Sequence, residues 1–214
     1  MRTMILFTWM FLAQMMVSQV DAGPVLISQT GPGTGSWTTG AQESNAVSWV
    51  SSFAFSDVKI FAKLSGVGVG TAYLTTQIGP TTTAADLLAI APFTANSTTG
   101  PEWVGLFSGL TLEPGTYFLT LGSLEGAFCG GWGNTFSPNI VTALGVTYNG
   151  SYFTTNAMAG FNLTFPPGST FDSFETFGLN PLQFQVIMPQ ASTLLLMAAG
   201  FAVLCVLWRR REET

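Results

Sequence analysis

Between positions 57 and 64 the chain reads Asp-Val-Lys-Ile-Phe-Ala-Lys-Leu, so Val58, Ile60, Ala62 and Leu64 share one side while Asp57, Lys59 and Lys63 share the other. A period of two fits a strand with one buried and one wet face. A helix turns about 200° over two residues and would scatter the three charges. A second pattern, Leu110-Thr111-Leu112-Glu113-Pro114-Gly115-Thr116-Tyr117-Phe118-Leu119-Thr120-Leu121, sets two runs of strand formers on either side of Glu-Pro-Gly. Pro114 and Gly115 suit the two corners of a type II turn, which predicts a hairpin. Further strands are expected over residues 47–55, 71–78, 103–107, 146–154, 160–165 and 182–187, and a helical turn over 83–91 with Thr-type capping. Short strands broken by Gly and Pro predict an all-β fold, a single antiparallel β-sandwich of jelly-roll type. No fixed-period repeat is visible.

Both ends of the chain depart from this pattern. Met1-Arg2-Thr3 is followed by an apolar run over residues 4–17, and Val20 and Ala22 supply the small residues of a cleavage site between Ala22 and Gly23. This is the pattern of a secretory signal peptide, residues 1–22. At the other end residues 191–208 carry no charge, and only Ser192 and Thr193 among them are polar. A core helix of a soluble domain would show a polar face, which Leu194–Trp208 lacks, and the length of the run suits a membrane span. Arg209, Arg210 and Arg211 follow directly and would hold this end in the cytoplasm with the body outside. The basic cluster also argues against a GPI signal, which ends in its hydrophobic tail. The chain therefore divides into a signal peptide (1–22), a β ectodomain (23–187) and a C-terminal segment (188–214).

The order Met188-Pro189-Gln190-Ala191-Ser192-Thr193, then Leu194-Leu195-Leu196-Met197 and further apolar residues, then the Arg cluster, resembles the PEP-CTERM sorting signal of exported bacterial proteins. The resemblance implies recognition of the proline motif (Pro189, Gln190, Ala191, Ser192) by a membrane-embedded exosortase. Cleavage near it would pass the body to the cell surface or the extracellular polysaccharide matrix. The family's Pro-Glu-Pro stands here as Pro189-Gln190-Ala191, which keeps the first proline and lacks the acid and the second proline. The stretch from Ala72 to Pro80, Leu106-Phe107-Ser108-Gly109-Leu110 and the Pro-Gly-Thr-Tyr turn are also similar to the β-rich bodies that precede this signal, which implies a fold and no activity.

Composition narrows the chemistry. The 214 residues are 47% hydrophobic and only 8% charged, with a net charge of −5, no His and two Cys. Mechanisms that need an imidazole base or a His-ligated metal are excluded, and two lone cysteines build no zinc or iron–sulfur site. The acidic balance leaves no electrostatic footprint for nucleic acid. The body holds only Lys59 and Lys63 against eight acids. Cys129 lies in the body and Cys205 in the expected span, so no intramolecular disulfide is expected. Cys129 has no His or cation cluster beside it to make it a nucleophile. Asp172 and Glu175 are the closest carboxylate pair, the type needed for glycoside cleavage, but Phe171 and Phe174 around them point to a surface loop or edge strand. No Asp-rich loop concentrates the oxygens calcium needs. The better binding candidate is Trp132, in Cys129-Gly130-Gly131-Trp132-Gly133-Asn134, where the glycines suggest a loop and an indole face could stack on a sugar ring. The competing reading has Trp132 plugging the open end of the sandwich. Trp37 falls in a Gly-rich segment read as a mobile leader, and Trp49 and Trp103 fall in strands as expected core.

The expectation is thus a non-enzymatic exported surface or matrix-associated protein without cofactor or metal. Its partners are the secretion machinery, an exosortase-type enzyme, the membrane through its C-terminal helix, and extracellular polysaccharide. Two other classes stay open: a carbohydrate-binding module using loop aromatics, and an ordinary single-pass type I membrane protein. A eukaryotic glycoprotein would use the sequons at Asn96, Asn149 and Asn162.

Overall fold

The strand read over residues 57–64 extends in the structure from Phe55 to Thr75. The computed structural model describes residues 24–189 except 34, 41–42, 124–126, 156–161 and 163. Among the described residues there are eleven strands: β1 (Val25–Thr30), β2 (Ser36–Thr39), β3 (Glu43–Ser51), β4 (Phe55–Thr75), β5 (Leu87–Leu112), β6 (Gly115–Gly122), β7 (Phe128–Gly133), β8 (Asn139–Thr142), β9 (Val146–Thr155), β10 (Asp172–Ser173) and β11 (Phe184–Ile187). The fold is all-β, as the patterning predicts. Val58, Ile60, Ala62 and Leu64 are fully buried on one face of β4.

At 21 and 26 residues, β4 and β5 are several times the usual strand length of about five or six. They pair antiparallel from end to end, Phe55 opposite Leu112 and Thr75 opposite Leu87. Along its other side β4 meets three neighbours in succession. Lys59–Ala62 pair with β11, Leu64–Gly68 with β7, and Thr71–Thr75 with β6. The sheet therefore runs β10-β9-β3-β6-β4-β11-β1-β8, with β7 carrying β2. What reads in sequence as two sheets is one continuous hydrogen-bonded network, because a single strand joins both halves.

Such a strand must change direction, and it does so at Gly66 and Gly68, whose φ angles are +102° and +112°. Only glycine occupies this region cheaply. A Cβ on Gly66 or Gly68 would also overlap the carbonyl oxygen of Cys129 or Ala127, so β7 can approach only because both positions lack one. The curled sheet then encloses one core. Trp49 of β3 stacks on Tyr117 of β6 at 5.6 Å and on Phe184 of β11 at 5.8 Å, tying the two halves together.

Three local expectations change. The Glu113-Pro114 corner does not close a hairpin, since β5 pairs with β4 while β6 pairs with β3 and β4. Gly115 is not in the left-handed region, so the turn is not type II. The Tyr117 hydroxyl donates instead to the Glu113 carbonyl and pins the corner. The helical turn shrinks to a 3-10 turn, Ala84–Asp86, with a capping box. The Thr83 N–H donates to the Asp86 carboxylate at 2.8 Å, and Ala85 N–H donates to the Thr83 hydroxyl at 3.3 Å. Strand geometry resumes at Leu87, where β5 engages β4. Of the strand expected over 160–165, the described residues form a turn in which Asn162 Oδ1 accepts from Thr164 N–H at 3.0 Å and Phe165 N–H at 2.9 Å.

Two outcomes follow. Gly68→Ala is expected to lower the unfolding free energy by about 2 kcal/mol or more, from strained φ plus overlap, read as a fall in urea midpoint. Hydrogen bonds from the Thr83 backbone, and then from Gln77, hold the Asp86 carboxyl below its ordinary 3.8. The stability this contributes is complete above the ordinary value and is lost as pH falls through the lowered one. The gap in urea midpoint between the native chain and Asp86→Asn should therefore narrow from about pH 6 to about pH 2.

Candidate functional site

The described body begins and ends at one place. β11 lies between β1 and β4, with Val25 opposite Ile187, and Met188 N–H donates to the Pro24 carbonyl at 3.1 Å. The chain thus enters and leaves the body side by side. Of the expected sorting motif, only Pro189 is described, half-buried after Met188. Gln190, Ala191, Ser192, the apolar segment 191–208 and Arg209, Arg210 and Arg211 lie outside the described residues, as do Ala22 and Gly23 of the expected cleavage site. Among the described residues no helix is long and apolar enough to cross a membrane.

Trp132 is not a loop residue. It sits in β7, opposite Trp37 of β2 and Leu64 of β4, and is fully buried. Its indole N–H donates to the Gln183 carbonyl at 2.7 Å. An indole so placed offers no face to a sugar ring, which corrects the ligand-binding expectation. The glycines around it admit the flanking strands rather than conferring mobility. Trp37, expected in a mobile leader, is held in β2, edge-on to Phe174 at 5.3 Å and donating to the Asn180 carbonyl at 3.0 Å. Trp49 is core as expected, whereas Trp103 on β5 is 41% exposed. Cys129 is an exposed thiol in β7.

Of the carboxylate pair, Glu175 is structural in its contacts, while Asp172 Oδ2 is buried without a hydrogen-bond partner. Asp172 lies in β10 opposite Phe153 of β9, and Glu175 lies in the turn that follows. Glu175 Oε1 accepts from Ser151 N–H at 3.2 Å and from the Tyr148 hydroxyl at 3.3 Å, while Oε2 accepts from the Ser173 hydroxyl at 2.7 Å. Burial pushes the Tyr148 phenol far above its ordinary range, so it stays protonated and able to donate. The carboxylate spends its lone pairs fastening the turn to β9.

A shallow depression of about 350 Å³ lies on β4 and β5, lined by Lys59, Phe61, Gly105, Leu106, Phe107 and Ser108. One ammonium and one hydroxyl among apolar walls provide no acid–base pair. No group of three or more His, Cys, Asp or Glu placed to hold a metal occurs among the described residues.

Two large apolar side chains stand in water, Leu144 and Phe53. Leu144 belongs to no alternating run, and Phe53 falls in the strand expected over 47–55, which ends at Ser51.

Trp132→Ala should cost about 3–5 kcal/mol of stability, mainly through the cavity left, since the Gln183 carbonyl keeps the Lys63 N–H at 3.2 Å as a donor. Trp132→Phe should cost less, and urea titration of both variants measures the difference. No protein-family model matches the chain, and no curated protein matches it.

Proposed function

We propose that the chain is an exported bacterial surface or extracellular-matrix-associated protein. Its sandwich-like β ectodomain carries no catalytic role and is sorted through its C-terminal segment. The observation that carries this reading is the order of the last 27 residues, a proline motif at Pro189, an uncharged run over 191–208 and the cluster Arg209–Arg211. On this reading the secretion machinery removes residues 1–22, the apolar run halts translocation, and the arginines keep their side of the membrane. An exosortase-type enzyme then cuts near Pro189.

The geometry of the body supports this assignment. The last strand ends at Ile187, two residues before the motif, so the motif follows the fold without a long linker. A cut after Pro189 leaves every ladder bond of β11 in place. The absence of His from the whole chain supports a non-enzymatic role, since the commonest general base is missing. Burial of Trp132 removes the residue on which recognition of polysaccharide would have rested.

The test is the intact mass of the protein from native cells, separated into membrane and extracellular pools. An extracellular form lacking the residues beyond about Pro189, with a Pro189→Ala variant staying uncleaved in the membrane pool, is the expected result. Mass retaining Arg209–Thr214 in every pool overturns sorting by cleavage and leaves a permanently anchored single-pass protein. Replacing all three arginines with Ser should reduce membrane retention of the unprocessed chain severalfold.

A further inference from the structure

We infer that the end of the body where the chain enters and leaves is lipid-facing, with Leu144 and Phe53 seated in the headgroup layer of the membrane. The inference rests on the reading that residues 191–208 span that membrane.

Three contacts bring these side chains to the exit point. Met188 N–H donates to the Pro24 carbonyl at 3.1 Å, and two residues on the Leu26 carbonyl accepts from Ala143 N–H at 2.8 Å. The turn Leu144-Gly145 therefore projects beside Pro24. Ser52 N–H donates to the Gly145 carbonyl at 2.8 Å, which lays the loop after β3 alongside, and the Phe53 ring covers Gly145. Leu144 is 87% exposed and Phe53 50% exposed. Two adjacent loops thus present bulky apolar tips to water at one end.

Chain length then fixes what lies opposite them. From Met188 to Ala191, where the apolar run begins, are three peptide units, which reach at most roughly 11 Å. A body on so short a tether keeps this end against the bilayer surface. Apolar tips in the interface gain by burial, and they act as anchors of the kind found at membrane–water boundaries. Among the described residues, the charged groups toward this end are Asp57 and Lys59 at the start of β4, with Lys59 opposite Ile187, and Glu113 after Leu112, which lies opposite Phe55. Two acids against one cation give no attraction to anionic lipid, so the contact is apolar and zwitterionic lipid suffices.

The test uses the full chain with Cys129→Ser and Cys205→Ala, reconstituted in phosphatidylcholine vesicles, carrying Leu144→Cys or Phe136→Cys labelled with a polarity-sensitive dye. Phe136, 69% exposed, is the control: its N–H bonds Pro32, beyond the far end of β1. The dye at 144 is expected to shift to the blue and to be quenched by headgroup spin-labelled lipid about threefold more than the dye at 136. Equal, water-like signals from both sites in a chain that still floats with the vesicles overturn this inference and leave the anchoring reading intact. A chain that does not float overturns both. Thermal unfolding of each labelled variant, compared with the native chain, shows that the body is folded in every case.

Discussion

The backbone ladder of β4 is the constraint on which the rest of the structure depends. A buried strand must give every N–H and C=O a partner, and β4 is too long for any single neighbour on its second side. It solves this by taking β11, β7 and β6 in turn while β5 follows it throughout. Each of those neighbours belongs to a different part of the sheet, so their places are fixed by their segment of β4. The bend at Gly66 and Gly68 is what allows the sequence of partners. With a Cβ at either glycine β7 could not reach the ladder, and the curled sheet brings together the halves that meet at Trp49, Tyr117 and Phe184.

A second set of bonds seats the last strand. Leu182 and Gln183, just before β11, collect donors and acceptors from three other strands. Gln29 Nε2 of β1 donates to the Leu182 carbonyl at 2.8 Å, Leu182 N–H donates to Ser151 Oγ of β9 at 3.2 Å, and Gln183 N–H donates to the Gly133 carbonyl of β7 at 2.8 Å. The Trp132 indole adds its bond to the Gln183 carbonyl. These groups are buried, and a buried polar group left unmade costs more than the bond gains, so the set acts as a register lock for β11.

How much of this is legible in the sequence depends on whether one face of a strand is wet. Asp57–Leu64 reads clearly because three charges mark the outer face and four apolar residues the inner one. β9, expected over 146–154 and found as Val146–Thr155, is legible for its β-branched and aromatic run. β7 is not, because Gly130, Gly131 and Gly133 leave no alternation and imitate a loop. β2 hides in the same way inside a Gly-rich stretch. The joining of 57–64 to 71–75 as one strand is also illegible, since glycine marks strand breaks far more often than strand bends. The candidate sites divide along the same line. The expected sorting residues depend on linear order and are read directly, whereas the exposure of Trp132 depended on a loop that is a central strand. Leu144 carries no periodic signal and Phe53 reads as strand, and only the pairing of distant turns places them together.

The position of β11 links folding to export. β1 and β11 are the first and last strands, and each needs the other: β1 is held between β11 and β8, and β11 between β1 and β4. The ladder between them closes contacts over almost the whole length of the body, the slowest kind to form. On the proposed reading the N-terminal strand crosses the membrane first and waits unpaired on one side until the last strand follows. The fold is then completed by the segment that immediately precedes the apolar run. Closure of the sheet and arrest at the membrane become neighbouring events, separated by Met188 and Pro189. A sorting cut placed before Ile187 would strip β1 and β4 of a partner. A cut at Pro189 lies beyond the last ladder pair and beyond the Met188–Pro24 bond, so it releases the body with its ladder whole.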